Sequence, residues 1–138
     1  MRAFGNRGLP SFRRHNPDMT RVLIVDDEPS IRQLIATLLT LEGFEITTAS
    51  DGREALDQIL AAPPKLVISD VRMPFMNGYE LLNTIRANPA LDAVRFILLA
   101  SYSDDDVAAD RAVALADACL SKPFTRALLL KTVRALVP

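Results

Sequence analysis

The chain has 138 residues, of which 49% are hydrophobic and 24% charged, and its formal net charge is −1. This balance is typical of a single globular domain and excludes an intrinsically disordered chain. The chain has one cysteine, which excludes an internal disulfide framework. It also has only one histidine, so it lacks the ligands of a finger-type zinc cluster and has few residues for Ser-His-Asp or Cys-His catalysis. No apolar run approaches the ~20 residues of a membrane span and no secretory signal is visible, so we expect a cytoplasmic protein that does not associate with membranes.

Charge is divided unevenly between an N-terminal leader and the rest of the chain. Residues 1–19 hold four arginines and one aspartate, a net charge of +3, whereas the remainder holds 12 basic and 16 acidic residues, a net charge of −4. An acidic body argues against direct nucleic-acid binding. We interpret residues 1–19 as a flexible basic leader and residues 20–138 as one domain, with a nucleic-acid or membrane arm as the weaker interpretation of the leader.

Short apolar runs recur from residue 20 onward and predict five strands. Four of them are continuous runs, at residues 21–25, 66–69, 96–100 and 118–120. Such runs are typical of strands that are buried on both faces of a parallel sheet. Residues 44–48 alternate instead, which predicts a half-exposed strand at an edge of the sheet.

A segment with helical periodicity follows each of these runs. Pro29 suits the first position of the first helix, and Gly43 ends it. Residues 51–54 and 77–80 match capping boxes at the start of the second and third helices. A fourth helix is predicted from Ser103 and a fifth from Thr125. Five strands alternating with five helices predict a doubly wound α/β fold, whose common five-strand order is 2-1-3-4-5.

Acidic residues follow the two strands that this order places side by side. Asp26 and Asp27 come directly after the first strand, and Asp70 follows the third. Ligands of open parallel sheets bind outside the carboxyl ends of the strands where the order reverses, so we expect these carboxylates to meet. Carboxylates this close repel one another unless a cation compensates, and a hard divalent ion such as Mg²⁺ suits oxygen ligands. Lys122 follows the fifth strand and is placed to reach the same pocket.

These residue types suit phosphoryl transfer. An aspartate can attack phosphorus directly and form an acyl phosphate, while Mg²⁺ and a lysine neutralise the phosphoryl oxygens. Asp70 is the acid that we select as the nucleophile, because the turn that follows it leaves its carboxylate accessible. A helix cap or a solvated loop residue explains any one of these aspartates alone, but not the whole set at the strand ends.

Three stretches resemble the receiver domain of two-component response regulators. They are VLIVDDEP at residues 22–29, SDVRMP at residues 69–74 with the pair Asn77-Gly78, and SKPF at residues 121–124. Each motif alone is weak, but three in the right order and spacing are specific. The resemblance spans roughly residues 20–138 and implies the flavodoxin-like form of the predicted fold.

The resemblance also implies roles for individual residues. Asp70 would accept a phosphoryl group from a sensor histidine kinase or a phosphotransfer protein, and Lys122 would pair with the phosphorylated side chain. The implied Mg²⁺ ligands are Asp26, Asp27, Asp70 and the backbone carbonyl of Arg72. The peptide bond between Lys122 and Pro123 is typically cis in the family.

The sequence departs from the family at the ends of the fourth and fifth strands. Ala100 occupies the position where receivers usually carry Thr or Ser, and Ser101 comes one residue late. Because a shift of one residue turns a strand side chain to the other face, Ser101 substitutes only if the strand end bulges or twists. Cys119 replaces the usual Tyr or Phe of the fifth strand, and we expect it to be a small buried core residue rather than a redox sensor.

Three functions stay open at this point. The first is a phosphorylatable receiver that alters its contacts with an unknown downstream protein. We expect such a receiver to be a monomer or a weak dimer, and to catalyse only its own phosphorylation and dephosphorylation. The second is an atypical receiver that binds proteins with little dependence on phosphorylation. The third is a phosphatase or phosphotransferase, against which Arg72 counts because it stands where that class has a second Asp. The sequence ends soon after the fifth predicted helix, so we expect no DNA-binding or catalytic output domain in it.

Overall fold

A computed structural model describes residues 19–101 and 114–138. Its five strands form one parallel sheet in the order β2-β1-β3-β4-β5, so the predicted fold class and strand order are confirmed. The strands are β1 (Arg21–Val25), β2 (Glu45–Ala49), β3 (Leu66–Asp70), β4 (Arg95–Ala100) and β5 (Ala118–Ser121). The described helices are α1 (Pro29–Leu41), α2 (Gly52–Ala61), α3 (Gly78–Arg86) and α4 (Arg126–Leu136), with a 3-10 turn at Pro89–Leu91. Residues 1–18 of the basic leader and residues 102–113, where most of the helix predicted from Ser103 falls, lie outside the described residues.

Helices cover both faces of the sheet and divide the core into two clusters. One cluster packs α2 and α3 against alternate residues of the strands, among them Leu23, Val67 and Phe96. The other packs α1 and α4 against the intervening residues, among them Ile24, Ile68 and Ile97. The side chains of β1, β3 and β4 are buried on both faces because each of these strands has a neighbour on either side and helices above and below. β2 is an edge strand and only its last residue, Ala49, is fully buried, as its alternating sequence predicts.

Helix ends follow the signals in the sequence closely. The side chain of Asn77 accepts a hydrogen bond from the backbone of Glu80, and the side chain of Glu80 accepts one from the backbone of Asn77, which completes the predicted capping box. At α2 only half of the predicted box forms, because Asp51 caps the helix while Glu54 accepts from Ser50 instead. These caps satisfy backbone groups in the first turns of α2 and α3, which lie at the carboxyl edge of the sheet.

The parallel arrangement brings all the strand ends that carry acidic residues to one edge. The register pairs Val25 with Ser69, so the residues that follow them, Asp26 and Asp70, lie side by side at this edge. None of the helices in the two described ranges combines the length and the apolar character needed to cross a bilayer.

Candidate functional site

Three carboxylates meet at the carboxyl edge of the sheet. One oxygen from each of Asp26, Asp27 and Asp70 lies within 4.8 Å of the others. Asp26 is fully buried, Asp70 is largely buried and Asp27 is exposed, so the cluster has one side open to solvent. The structure therefore brings together the three acids that the sequence placed at the ends of the first and third strands.

Asp26 is held in one orientation by several contacts. Its Oδ1 accepts a hydrogen bond from the backbone N–H of Glu28 at 2.9 Å, and its Oδ2 lies 3.3 Å from Nζ of Lys122. The guanidinium of Arg32, on α1, donates to the backbone carbonyl of Asp26 at 2.7 Å. A buried charge needs such partners to be stable, and here they also fix the direction of the carboxylate.

Asp70 ends β3 and has its own set of contacts. Its Oδ1 accepts from the backbone N–H of Val71 at 2.9 Å and lies 3.1 Å from Nζ of Lys122. The hydroxyl of Ser69 donates to the backbone carbonyl of Asp70 at 2.8 Å. Burial and the negative charge of Asp26 raise the pKa of the Asp70 carboxyl, and this effect outweighs the opposing contacts with Lys122 and Val71.

Lys122 reaches the acids from the end of β5. Its backbone N–H donates to the carbonyl of Ala100 at 2.8 Å, which continues the ladder between β4 and β5. Burial lowers the pKa of Lys122, but the carboxylates of Asp70 and Asp26 more than offset this, and the net shift is upward. The side chain is therefore an ammonium ion at neutral pH. The Lys122–Pro123 bond is cis, the isomer that the resemblance implies.

The donor set fits a hard divalent cation. Three carboxylates face one ammonium, so the cluster keeps an excess of negative charge, and all its donor atoms are oxygens. Mg²⁺ prefers such ligands and retains several waters, for which the exposed side at Asp27 provides access. Arg72, whose backbone carbonyl was the fourth implied ligand, lies in the loop between β3 and α3 and is exposed.

Gly78 is a site residue that the sequence reasoning missed. A Cβ at this position would lie 2.3 Å from the backbone oxygen of Asp70, and the N–H of Gly78 donates to the carbonyl of Val71 at 2.8 Å. The first turn of α3 thus packs directly against the backbone of the acid that ends β3. The Asn77-Gly78 pair was interpreted as a helix start and as part of the family motif, but not as a contact with Asp70, because that contact is visible only once β3 and α3 are placed in space.

The unusual positions at the ends of β4 and β5 differ in their surroundings. The register pairs Asp70 with Leu99, so Ala100 lies one residue further along at the carboxyl edge of the sheet, and it packs against the core cluster beneath α2 and α3. β4 and β5 stay in regular register to the pair formed by Ala100 and Ser121, without a bulge. Ser101 is the next residue and is partly buried.

The expectation that Cys119 is a buried core residue is wrong. Cys119 is exposed, because within the described part of the chain β5 is an edge strand that pairs with β4 alone, whereas its register partner Leu98 lies inside the sheet and is buried. The thiol is nevertheless partly screened from water, and this partial burial raises the pKa of Cys119. A raised pKa leaves less thiolate at neutral pH, which does not favour a reactive sensor cysteine.

The fold and the acidic cluster define a receiver-type α/β domain, and comparisons with known proteins agree. The family model "Response regulator receiver domain" matches residues 22–134, and the chain therefore belongs to the response regulator receiver family. The probable chemotaxis protein CheY of Rhizobium etli is 40% identical over 106 residues, which are 76% of this chain and 82% of that protein. The response regulator TrrA of Thermotoga maritima, solved in complex with Mg²⁺-BeF, superposes with a TM-score of 0.76 at 40% identity and covers 86% of this chain and 99% of that chain.

Other relatives are longer proteins. The transcriptional regulatory protein CpxR homolog of Haemophilus influenzae is 40% identical over 122 residues, which are 86% of this chain but 51% of that protein. The chain thus spans about half the length of this curated relative.

Proposed function

We propose that this receiver domain accepts a phosphoryl group on Asp70 and thereby alters its contacts with other proteins. One observation carries the proposal: Nζ of Lys122 lies 3.1 Å from Asp70 and 3.3 Å from Asp26, inside a cluster of three carboxylates. Such an arrangement offers an oxygen nucleophile together with positive charge for phosphoryl oxygens, which is most of what phosphoryl transfer requires.

The donor would be the phosphorylated imidazole of a histidine kinase or of a phosphotransfer protein. An oxygen of the Asp70 carboxylate forms the new O–P bond while the N–P bond of the donor breaks, and the imidazole leaves with the electron pair. Lys122 stays within reach of the carboxylate throughout and neutralises part of the negative charge that the phosphoryl group brings. Ionised Asp70 is the reactive form, so its raised pKa limits the reaction in acid.

The proposed metal is Mg²⁺. Its protein ligands would be Asp26, Asp27, Asp70 and the backbone carbonyl of Arg72. When bound, the ion supplies further positive charge for the phosphoryl oxygens. Family membership and the acidic cluster support this assignment, as does the Mg²⁺-BeF complex of the Thermotoga relative.

Phosphorylation is tested by intact-mass measurement after incubation with acetyl phosphate and Mg²⁺. We expect the mass of one phosphoryl group to be added, and we expect Asp70→Asn to abolish the addition. Asp92→Asn, which changes an exposed carboxylate remote from β3 in sequence, serves as the matched control and should label normally. An Asp70→Asn variant that labels at the normal rate would show that another residue is the acceptor.

A second candidate function is that of a receiver whose protein contacts depend little on phosphorylation. Ala100 favours it, because a methyl group at the family's hydroxyl position has nothing to offer a phosphoryl oxygen. A ligand shifts a conformational equilibrium only by its differential contacts with the two states. We expect Ala100→Thr to enlarge the chemical-shift changes that the phosphoryl mimic beryllofluoride causes in β5, with Ser101→Ala as the comparison. Large changes in the unmodified protein that disappear in Ser101→Ala would instead assign the hydroxyl role to Ser101.

A further inference from the structure

The loop between β3 and α3 holds an aromatic side chain in a costly conformation. Phe75 has a φ of 69°, in the left-handed region that bulky residues rarely adopt. The N–H of Met76 donates to the carbonyl of Pro74 at 2.8 Å, so Phe75 is the central residue of a γ-turn of the strained hand. The turn directs the ring outward, and 77% of the residue is exposed. The ring therefore contributes little to the core that could offset the strain.

Backbone contacts tie this loop to α2. The N–H of Gly52, at the first turn of α2, donates to the carbonyl of Met76 at 3.1 Å. A Cβ on Gly52 would lie 2.3 Å from that same oxygen, so α2 and the loop touch backbone to backbone. Phe75 is thus presented on a fixed support beside α2, which lowers the entropic cost of binding something against it.

The surface around the ring is mostly acidic. The guanidinium of Arg53 lies over the ring, 5.9 Å from its centroid. A groove runs between the ring and α2, and we call it the Phe75 surface. Its lining residues are Asp51, Arg53, Glu54, Asp57 and Phe75. Three carboxylates and one guanidinium give it a net negative charge.

We propose that the Phe75 surface is a docking site for a partner protein segment in which an apolar side chain is flanked by arginine or lysine. Exposed aromatic side chains on rigid supports are typical anchors of protein interfaces, and the acidic lining complements basic flanks. A second copy of this chain is disfavoured, because a two-fold contact here would place carboxylates against carboxylates. Nucleic acid and anionic lipid are disfavoured because the lining repels their phosphates.

The test is a titration of the full, unphosphorylated chain with a defined probe. The probe is a blocked hexapeptide with a central Leu-Phe pair between arginine pairs, and its counterpart carries glutamates in place of the arginines. We expect saturable amide shifts in residues 51–57 and at Met73, Phe75 and Met76 with the arginine peptide and none with the glutamate peptide. Because no phosphoryl group is present, the result is independent of whether Asp70 is a phospho-acceptor.

Variants separate docking from a structural role. Phe75→Asn should weaken binding about tenfold and leave the melting temperature equal or higher, because Asn tolerates a positive φ and loses only an exposed ring. Asp57→Lys should weaken binding by reversing one charge, whereas Leu41→Asn, at a leucine that is 72% exposed on α1, should bind normally. The proposal is overturned if no saturable shifts occur at the Phe75 surface, if both peptides bind equally, or if Phe75→Asn binds as tightly as the unmodified protein.

Discussion

Replacing Gly78 with alanine tests whether the first turn of α3 supports the acidic site. The added Cβ would lie 2.3 Å from the backbone oxygen of Asp70, whereas real Cβ contacts essentially never fall under 3.0 Å. The turn must therefore move away from β3 by at least 0.7 Å. The two nearest further atoms also belong to the backbone of Asp70 and Val71, so no side-chain rotation relieves the overlap.

The energetic cost follows from this displacement. Overpacking against a fixed backbone costs about 1–3 kcal/mol. The hydrogen bond from Gly78 to Val71, now 2.8 Å long, is stretched toward its limit and loses roughly 1 kcal/mol. The alanine recovers up to ~1 kcal/mol by restricting the unfolded chain. The net loss is about 1–3 kcal/mol, which lowers the melting temperature of a domain of this size by roughly 4–12 °C.

The assay combines thermal unfolding with the rate of labelling by acetyl phosphate, measured well below the melting temperature. Gly43→Ala is the matched control, since Gly43 has a φ of +95° but no atom within 4 Å of its Cβ position. It should lose about 1 kcal/mol through backbone strain alone and label at the normal rate. If Gly78→Ala is no less stable than Gly43→Ala, or labels as fast as the unmodified protein, α3 does not position Asp70.

Three further predictions concern the charges of the site. Lys122→Met should slow labelling by acetyl phosphate about 100-fold, because it removes a positive charge from the phosphoryl site. The control Lys131→Met, on the exposed side of α4, should label at the normal rate. If the two variants label at equal rates, Lys122 takes no part in the reaction. Mg²⁺ at 100 times its Kd should stabilise the native chain by about 2.7 kcal/mol, and Asp27→Ala should weaken this stabilisation. If Asp27→Ala binds Mg²⁺ with unchanged affinity in a calorimetric titration, the assignment of Asp27 as a ligand is wrong. The raised pKa of Asp70 means that the folded chain binds this proton more tightly than the unfolded chain does, so stability is lost as pH rises from the unfolded carboxyl's 3.8 through the folded pKa. Without Mg²⁺, Asp70→Asn should therefore melt at a higher temperature than the unmodified chain at pH 7. Well below pH 3.8 the two should melt at the same temperature. A lower melting temperature of Asp70→Asn at pH 7 would show that ionised Asp70 stabilises the fold.

Much of the fold can be predicted from the sequence because the signals are local and agree with one another. The apolar run at 21–25 has the bounds of β1, and Gly43 with its positive φ ends α1 as expected. The acidic cluster is also predictable, since strand order alone brings Asp26 and Asp70 to adjacent strand ends. The position of Lys122 beside the acids is predicted by the same rule, applied to the fifth strand.

Contacts that depend on the packing of one element against another were not predictable. The proximity of Gly78 to Asp70 arises from the approach of α3 to β3, and no periodicity in the sequence encodes it. The exposure of Cys119 follows from the place of β5 at the edge of the sheet, although the apolar run around it is typical of a buried strand. The strained turn at Phe75 has no sequence signal, because positions with positive φ usually carry glycine or asparagine.

The central claim is that Asp70 is the residue that receives the phosphoryl group, and its position can be mapped directly. An acyl phosphate is reduced by borohydride to an alcohol, which converts a phosphorylated aspartate to homoserine. After incubation with acetyl phosphate and Mg²⁺, reduction and peptide mass spectrometry, we predict homoserine at position 70 and unchanged aspartate at positions 26 and 27. Homoserine at either of those positions, with Asp70 intact, would contradict the account.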